Sequence, residues 1–484
     1  MKSLKPLFLS LVISAFLVGC YDDLDDVIRP ASSLEIKNFI WRGMNNIYLY
    51  KAEVPELADD AFSSQEDLND FLKTFSSPED LFYNGLVARE EDEFSFLVTD
   101  YVELEKSLDG IRVSNGMEYG LRRYTETSED VLGYVRYVLP NTSAEAEGVQ
   151  RGMLFNTVDG VQLNVENFSR LLEPNTYTIG LAELNGSEIV STGETITLVK
   201  EEYTKNPVFL AKTIPTDQGK VGYLFYTGFT GTFDAVLNET FAMFKAEGIS
   251  HLVVDLRYNP GGSVETAVDL GSMITGQFNG QVFFTEQWND QYQNYLQENA
   301  PGSLVHNFNN TISNGNTINS LGLNEVYVIT TLRTASASEL LINGLNPYIN
   351  VIQVGENTTG KFQASRTLYD SPDFGRRGAS LAHRYAIQPL IYKTLNKVGF
   401  TDYQDGLTPD IEIAESLQDL GIIGDINEPL LHAALNDILG APQDFQPSSA
   451  MFKKLIGESG MHDKMYQRMY TSQPLPEIFL NPVE

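Results

Sequence analysis

The sequence predicts a multidomain α/β protein, and three observations carry that reading. From about residue 218 the chain alternates strand-like and helix-like segments, the pattern of an α/β core. Residues 33–108 place apolar side chains at helical intervals. Between these parts, residues 109–204 read as short strands punctuated by Gly, Pro and Asp-Gly turns. A chain of 484 residues has room for roughly two to four domains.

At the start, Lys2 and Lys5 precede an apolar run from Pro6 to Gly19. That run is short for a bilayer span and suits the core of an export signal. It ends Leu17-Val18-Gly19-Cys20, which resembles the lipobox of bacterial lipoproteins. The resemblance implies a signal peptide over 1–19, lipidation of Cys20, and an exported lipoprotein on the outer membrane, facing the periplasm or the cell surface. Cys20 is the only cysteine, so disulfides and a cysteine nucleophile are not expected. An acidic tether follows over residues 20–32.

The formal charge is −32 and no basic block exists, which argues against nucleic acid as a partner. The five histidines are far apart in sequence, so no metal site is expected, and nothing calls for a cofactor.

Residues 33–108 form the expected N-terminal helical domain. In residues 109–204, Pro140, Ala144, Ala146, Gly148, Gly152, Asp159 and Gly160 follow a pattern of strand, small-residue helix and Gly-bounded turns. This resembles the PDZ domain, in the permuted form found in bacterial exported proteases. Such domains bind a chain end by adding it as a strand to a sheet edge. Tyr119, Gly120 and Leu121 are the candidate substrate-binding loop for the free carboxylate; an ordinary glycine turn is the alternative. The core is expected over 205–440, with an insertion at about 277–322, and a C-terminal tail over 441–484.

Three short pieces carry chemistry: "LRYNPGGS" (256–263), "TASASE" (334–339) and "TTGK" (358–361). Each follows a predicted strand, and strand ends that share a direction converge on one sheet edge. Gly355 to Lys361 also reads G-x-x-x-x-G-K, but Phe362 stands where a phosphate loop needs Ser or Thr, and the next residues read as a strand. Lys361 therefore needs another role. Gly261 and Gly262 can present backbone N–H groups unobstructed. Ser336 stands at a helix start, where N–H groups favour negative charge. A Ser hydroxyl needs a base, and a desolvated Lys can be one near neutral pH.

Taken together, the pieces resemble the tail-specific, or C-terminal processing, serine peptidases, over about residues 109–440. The resemblance implies a crotonase-like (ClpP/crotonase) α/β core with the PDZ domain ahead of it. Lys361 follows Ser336 by 25 positions, as in that family. It implies Ser336 as nucleophile, Lys361 as base, and an oxyanion hole from Ala337 and either Gly261 or Gly262. Many members carry a Gln four residues after the Lys; here that position is Ser365. Gln363 shares its strand face, and Glu339 matches an acid of other members, so both are candidates for the third site residue. Protein or peptide substrates taken through their C-terminal segments are the expected partners, beside the membrane at Cys20. The alternatives are a non-catalytic peptide-binding lipoprotein on the same fold and, more distantly, a Ser–His enzyme using His251 or His383.

Overall fold

The computed structural model describes residues 29–186, 188–443 and 455–475. The signal segment, Cys20 and the tether as far as residue 28 lie outside the described residues.

The central sheet has six strands in the order Val208–Thr216, Gly219–Tyr226, His251–Asp255, Glu325–Thr330, Asn350–Gly355, Ile411–Glu412. The first two form an antiparallel hairpin and every later pairing is parallel. Successive side chains alternate between two cores, as the strand period requires. Leu224, Val254 and Val328 face one core with the helices Asp234–Glu247, Val264–Ile274 and Ala337–Leu345. Tyr223, Phe225, Val253, Tyr327 and Ile329 face the other, covered by Pro429–Leu439. Parallel direction brings the ends of His251–Asp255, Glu325–Thr330 and Asn350–Gly355 to one edge, and the three chemical loops follow them.

A second sheet runs Gly262–Ser263, Met469–Tyr470, Gln363–Ser365, Leu390–Asn396, Val282–Gln287, Val305–Asn307. Its last two strands come from the segment read as an insertion, which is thus part of the sheet. The N-terminal region is mostly helical. Ser33–Ile47 opens with a capping box between Ser32 and Glu35. Its buried face joins the same core as the central sheet. A Cβ at Gly43 would meet Ile387 Cδ1 at 2.8 Å, so glycine lets this helix lie against the strand Ala386–Gln388. That strand also pairs with Phe96–Val98, so the region is built into the core rather than appended to it.

The β-rich module enters and leaves side by side, because Ile111–Ser114 pairs with Glu201–Thr204. Its main sheet runs Leu455–Glu458, Met117–Arg123, Val131–Val138, Leu154–Val158, Thr176–Asn185, Glu188–Val199. Two sequence expectations are corrected here. Tyr119, Gly120 and Leu121 are not a loop: they sit inside Met117–Arg123, paired with Val135, Tyr134 and Gly133. Gly120 is required because the Tyr134 ring lies 2.6 Å from where its Cβ would be. The segment after 440 is not simply a tail: Leu455–Glu458 and Met469–Tyr470 are strands in two different sheets.

Candidate active site

Loop 256–262 is held from below by buried charge. Arg257, fully buried, donates to both oxygens of Glu428 at 2.6 and 2.8 Å and to Asp255 at 2.9 Å. Arg151 of the β-rich module donates to Glu415 at 2.7 Å and to the Tyr258 hydroxyl at 2.9 Å. Two guanidinium groups thus face three carboxylates, and each buried charge has a partner. Neither arginine carried a signal in the sequence, because the glutamates they bind lie 158 to 264 residues away.

Asn259 joins this loop to the next. Its amide donates to Tyr226 O, its Oδ1 accepts from Gly261 N, both at 2.9 Å, and its carbonyl accepts from Ala335 N at 3.1 Å. Gly261 N–H is therefore engaged within its own loop, while Gly262 is paired with Met469 in the second sheet. Gly261 has φ +102, and a Cβ there would lie 2.5 Å from Ser336 Cβ and 3.0 Å from Ala337 N. Only glycine permits this approach.

Ser336 has φ 66 and ψ −114, a conformation that strains a residue with a Cβ by about 1–3 kcal/mol. The turn presents Ser336 at the N-terminus of the buried helix Ala337–Leu345, beside Ala337 N. Ser336 Oγ and Lys361 Nζ are both buried, and neither has a hydrogen-bond partner among the described residues.

Burial holds the Lys361 amine well below its ordinary range, and the nearby Arg468 cation lowers it further; Asp92 and Glu339 oppose the shift. The Phe94 ring lies 3.8 Å from Nζ. Its face can stabilise a cation by about 2 kcal/mol. Desolvating an ammonium costs several kcal/mol, so the uncharged amine is favoured.

Glu339 ties the two loops together. It accepts from Ser336 N at 2.6 Å, Gly360 N at 2.6 Å, Lys361 N at 2.9 Å and Thr358 Oγ1 at 2.5 Å. Its carboxyl is pushed up to about 7 by burial, with those four donors pulling the other way. It contacts backbone rather than Lys361 Nζ, so it positions both residues without touching the reacting atoms. Gln363 points away: its amide donates to Tyr50 Oη at 3.0 Å, and it makes no bond to Lys361. Ser365 donates to Met469 O at 2.8 Å and accepts from Gln388 at 3.1 Å. His383 is bound to Asp370 at 3.0 Å, and no bond joins it or His251 to Ser336. No group of acidic, His or Cys side chains among the described residues could hold a metal ion.

The arrangement suits acyl transfer: a strained hydroxyl, a buried amine and amides beside them. Comparison with known proteins points to peptidases. The model of Peptidase family S41 matches residues 220–413, and that of the Peptidase S41 N-terminal domain matches residues 35–96. The carboxyl-terminal-processing protease of a Picosynechococcus strain is 23% identical over 321 residues, covering 65% of this chain and 69% of that one. A crystal structure of a candidate S41 protease from Bacteroides fragilis is 27% identical, with a TM-score of 0.62 over 83% of this chain and 97% of that one. The photosystem II D1 C-terminal processing protease is 18% identical, with a TM-score of 0.50 over 83% and 98% of the two chains, and is similar in fold.

Proposed function

This chain is a serine-type peptidase of family S41, of the C-terminal processing kind, and from that premise we propose that it is an exported, lipid-anchored endopeptidase working through Ser336 and Lys361. The observation that carries the reading is a buried, deprotonation-prone amine and a strained serine whose backbone N–H groups both donate to Glu339. The core is crotonase-like, and the β-rich module is a PDZ-type capture domain.

In this mechanism Lys361 Nζ takes the proton from Ser336 Oγ as the oxygen attacks a peptide carbonyl carbon. The carbonyl oxygen becomes an oxyanion facing the N–H groups of Ala337 and of Gly261 or Gly262. Collapse breaks the C–N bond, and the leaving amine takes the proton back from Lys361. Lys361 Nζ, uncharged again, then takes a proton from water as the water oxygen attacks the acyl-serine ester, and returns that proton to Ser336 Oγ as the ester C–O bond breaks and the carboxylic product leaves. The hydrogen bond between Oγ and Nζ is expected to form when substrate enters, since such contacts tighten in the reacting complex.

The test is degradation of an unfolded reporter protein. Ser336→Ala and Lys361→Met abolish it; near-normal turnover by Lys361→Met would falsify the mechanism. A reporter with a free C-terminus is cut faster than its amidated form if the module captures chain ends. Lipidation at Cys20 is read by mass spectrometry of the membrane-extracted protein.

A further inference from the structure

The C-terminal segment 455–475 fills two places where an extended peptide would bind. The first is the edge of the β-rich module. Leu455–Glu458 runs antiparallel to Met117–Arg123, with Glu458 opposite Gly120 and Gly457 opposite Leu121. The short helix Phe168–Leu172 begins beside it: a Cβ at Gly457 would sit 3.0 Å from Phe168 Cε2 and 3.3 Å from Leu121 Cδ1. An extended segment held between a strand and a helix is the geometry of strand addition.

The second place is the cleft beside Ser336. Met469–Tyr470 lies between Gly262–Ser263 and Gln363–Ser365, parallel to both, with Met469 opposite Gly262 and Ala364. Among the described residues those two strands do not pair with each other, and the inserted strand joins them. Gly262 adjoins Gly261, which packs on Ser336. Ser365 donates to Met469 O at 2.8 Å, Thr471 N donates to Ser365 O at 3.1 Å, and Met469 is fully buried. At the end of the first seat, Glu458 pairs with Arg136 and with Arg333, the latter at 3.3 Å, only three residues before Ser336. Gln467 reaches Thr359 at 3.4 Å, and Arg468 donates to Phe94 O at 2.8 Å beside Lys361.

Resting on the peptidase reading above, we propose that segment 455–475 is an internal peptide ligand occupying both the capture edge and the catalytic cleft, so that the folded chain is latent until substrate or cleavage displaces it. Chain direction supports blocking rather than turnover. A substrate captured by its C-terminal end would send residues upstream of that end into the cleft. Here the strand on the capture edge does not end, and residues downstream of it enter the cleft. A tethered ligand competes at an effective concentration of the order of mM, so incoming peptides are outcompeted unless they bind tightly or the tether is cut.

The test compares the full chain with one ending at residue 443, using an unfolded reporter protein and circular dichroism to check folding. The shortened chain is expected to gain about tenfold or more in kcat/KM, mostly through KM. A synthetic peptide of residues 455–475 then restores inhibition competitively. Should the shortened chain unfold, a lock in the full chain decides the matter: Arg122→Cys with Leu455→Cys, paired across the ladder, neither residue in the catalytic machinery. Oxidation is expected to reduce turnover at least fivefold below the reduced form, with recovery on adding reductant. Equal activity of the oxidised and reduced locked chain, or a folded shortened chain no faster than the full one, overturns latency. A folded shortened chain that binds the peptide but cuts nothing overturns instead the peptidase reading beneath it.

Discussion

The carboxylate of Glu339 accepts hydrogen bonds from the backbone N–H groups of both Ser336 and Lys361, at 2.6 and 2.9 Å. One buried side chain therefore sets the distance between the candidate nucleophile and the candidate base from behind. Gly360 N and Thr358 Oγ1 complete its four donors. Glu339→Ala leaves these groups buried and unpaired, at about 1–3 kcal/mol for each that water cannot reach. A loss of at least about 3 kcal/mol in urea unfolding is expected, with kcat falling more than KM rises. An unchanged unfolding midpoint would show that the clip holds nothing.

The same residue gives a pH dependence of stability. Burial raises the Glu339 carboxyl to about 7 from an ordinary value of 4.5. A raised carboxyl favours the protonated fold, so its stabilising contribution is complete below about 4.5 and is lost as pH rises through about 7. Glu339→Gln cannot titrate. Thermal midpoints across that window should fall less steeply with pH in the variant than in the parent, and identical slopes would count against the assignment.

Lys361 should show the opposite sign. Its amine is depressed by burial, so the unfolded chain binds more protons than the folded one between the folded value and the ordinary 10.5. Stability from this group falls as pH drops through that window. Replacing the buried amine by the similar volume of Met is expected to stabilise the fold by about 1–3 kcal/mol while ending activity. Turnover by the parent should rise with pH through an apparent value well below 10.5. Lys361→Arg, which cannot lose its proton, stays inactive at every pH; a more labile Lys361→Met would refute the claim that burying this amine opposes folding.

How much of this was legible in the sequence follows from how local each feature is. Ser336 and Lys361 announce themselves because the turn before a helix and the loop after a strand are short-range patterns, and the sheet brings them to one edge. Glu339 was legible as a candidate, and its bond to Ser336 N is local, but its bonds to Thr358, Gly360 and Lys361 were not, since those groups lie 19 to 22 residues further on. Tyr119–Leu121 looked like a loop because Gly120 reads as a turn; its actual cause is the Tyr134 ring on the neighbouring strand. The strands Leu455–Glu458 and Met469–Tyr470 are too short to show a period, and partners over 100 residues away fix their register.

The last prediction concerns Gly261. Its φ of +102 alone disfavours any side chain, and a Cβ would lie 2.5 Å from Ser336 Cβ and 2.9 Å from Ala335 O. Neither neighbour can give way. Ser336 is already at φ 66, and Ala335 is fixed by its N–H to Asn259 O at 3.1 Å. Gly261→Ala must therefore push the 256–262 loop off the 331–336 loop, moving the Gly261 and Gly262 amides relative to Ser336. Misplacing an oxyanion donor costs about 100-fold or more in kcat. The variant should fold, with a thermal midpoint lowered by several degrees, corresponding to about 2 kcal/mol or less of backbone strain. A Gly261→Ala chain with parental kcat would mean that the two loops are not held as closely as these contacts require.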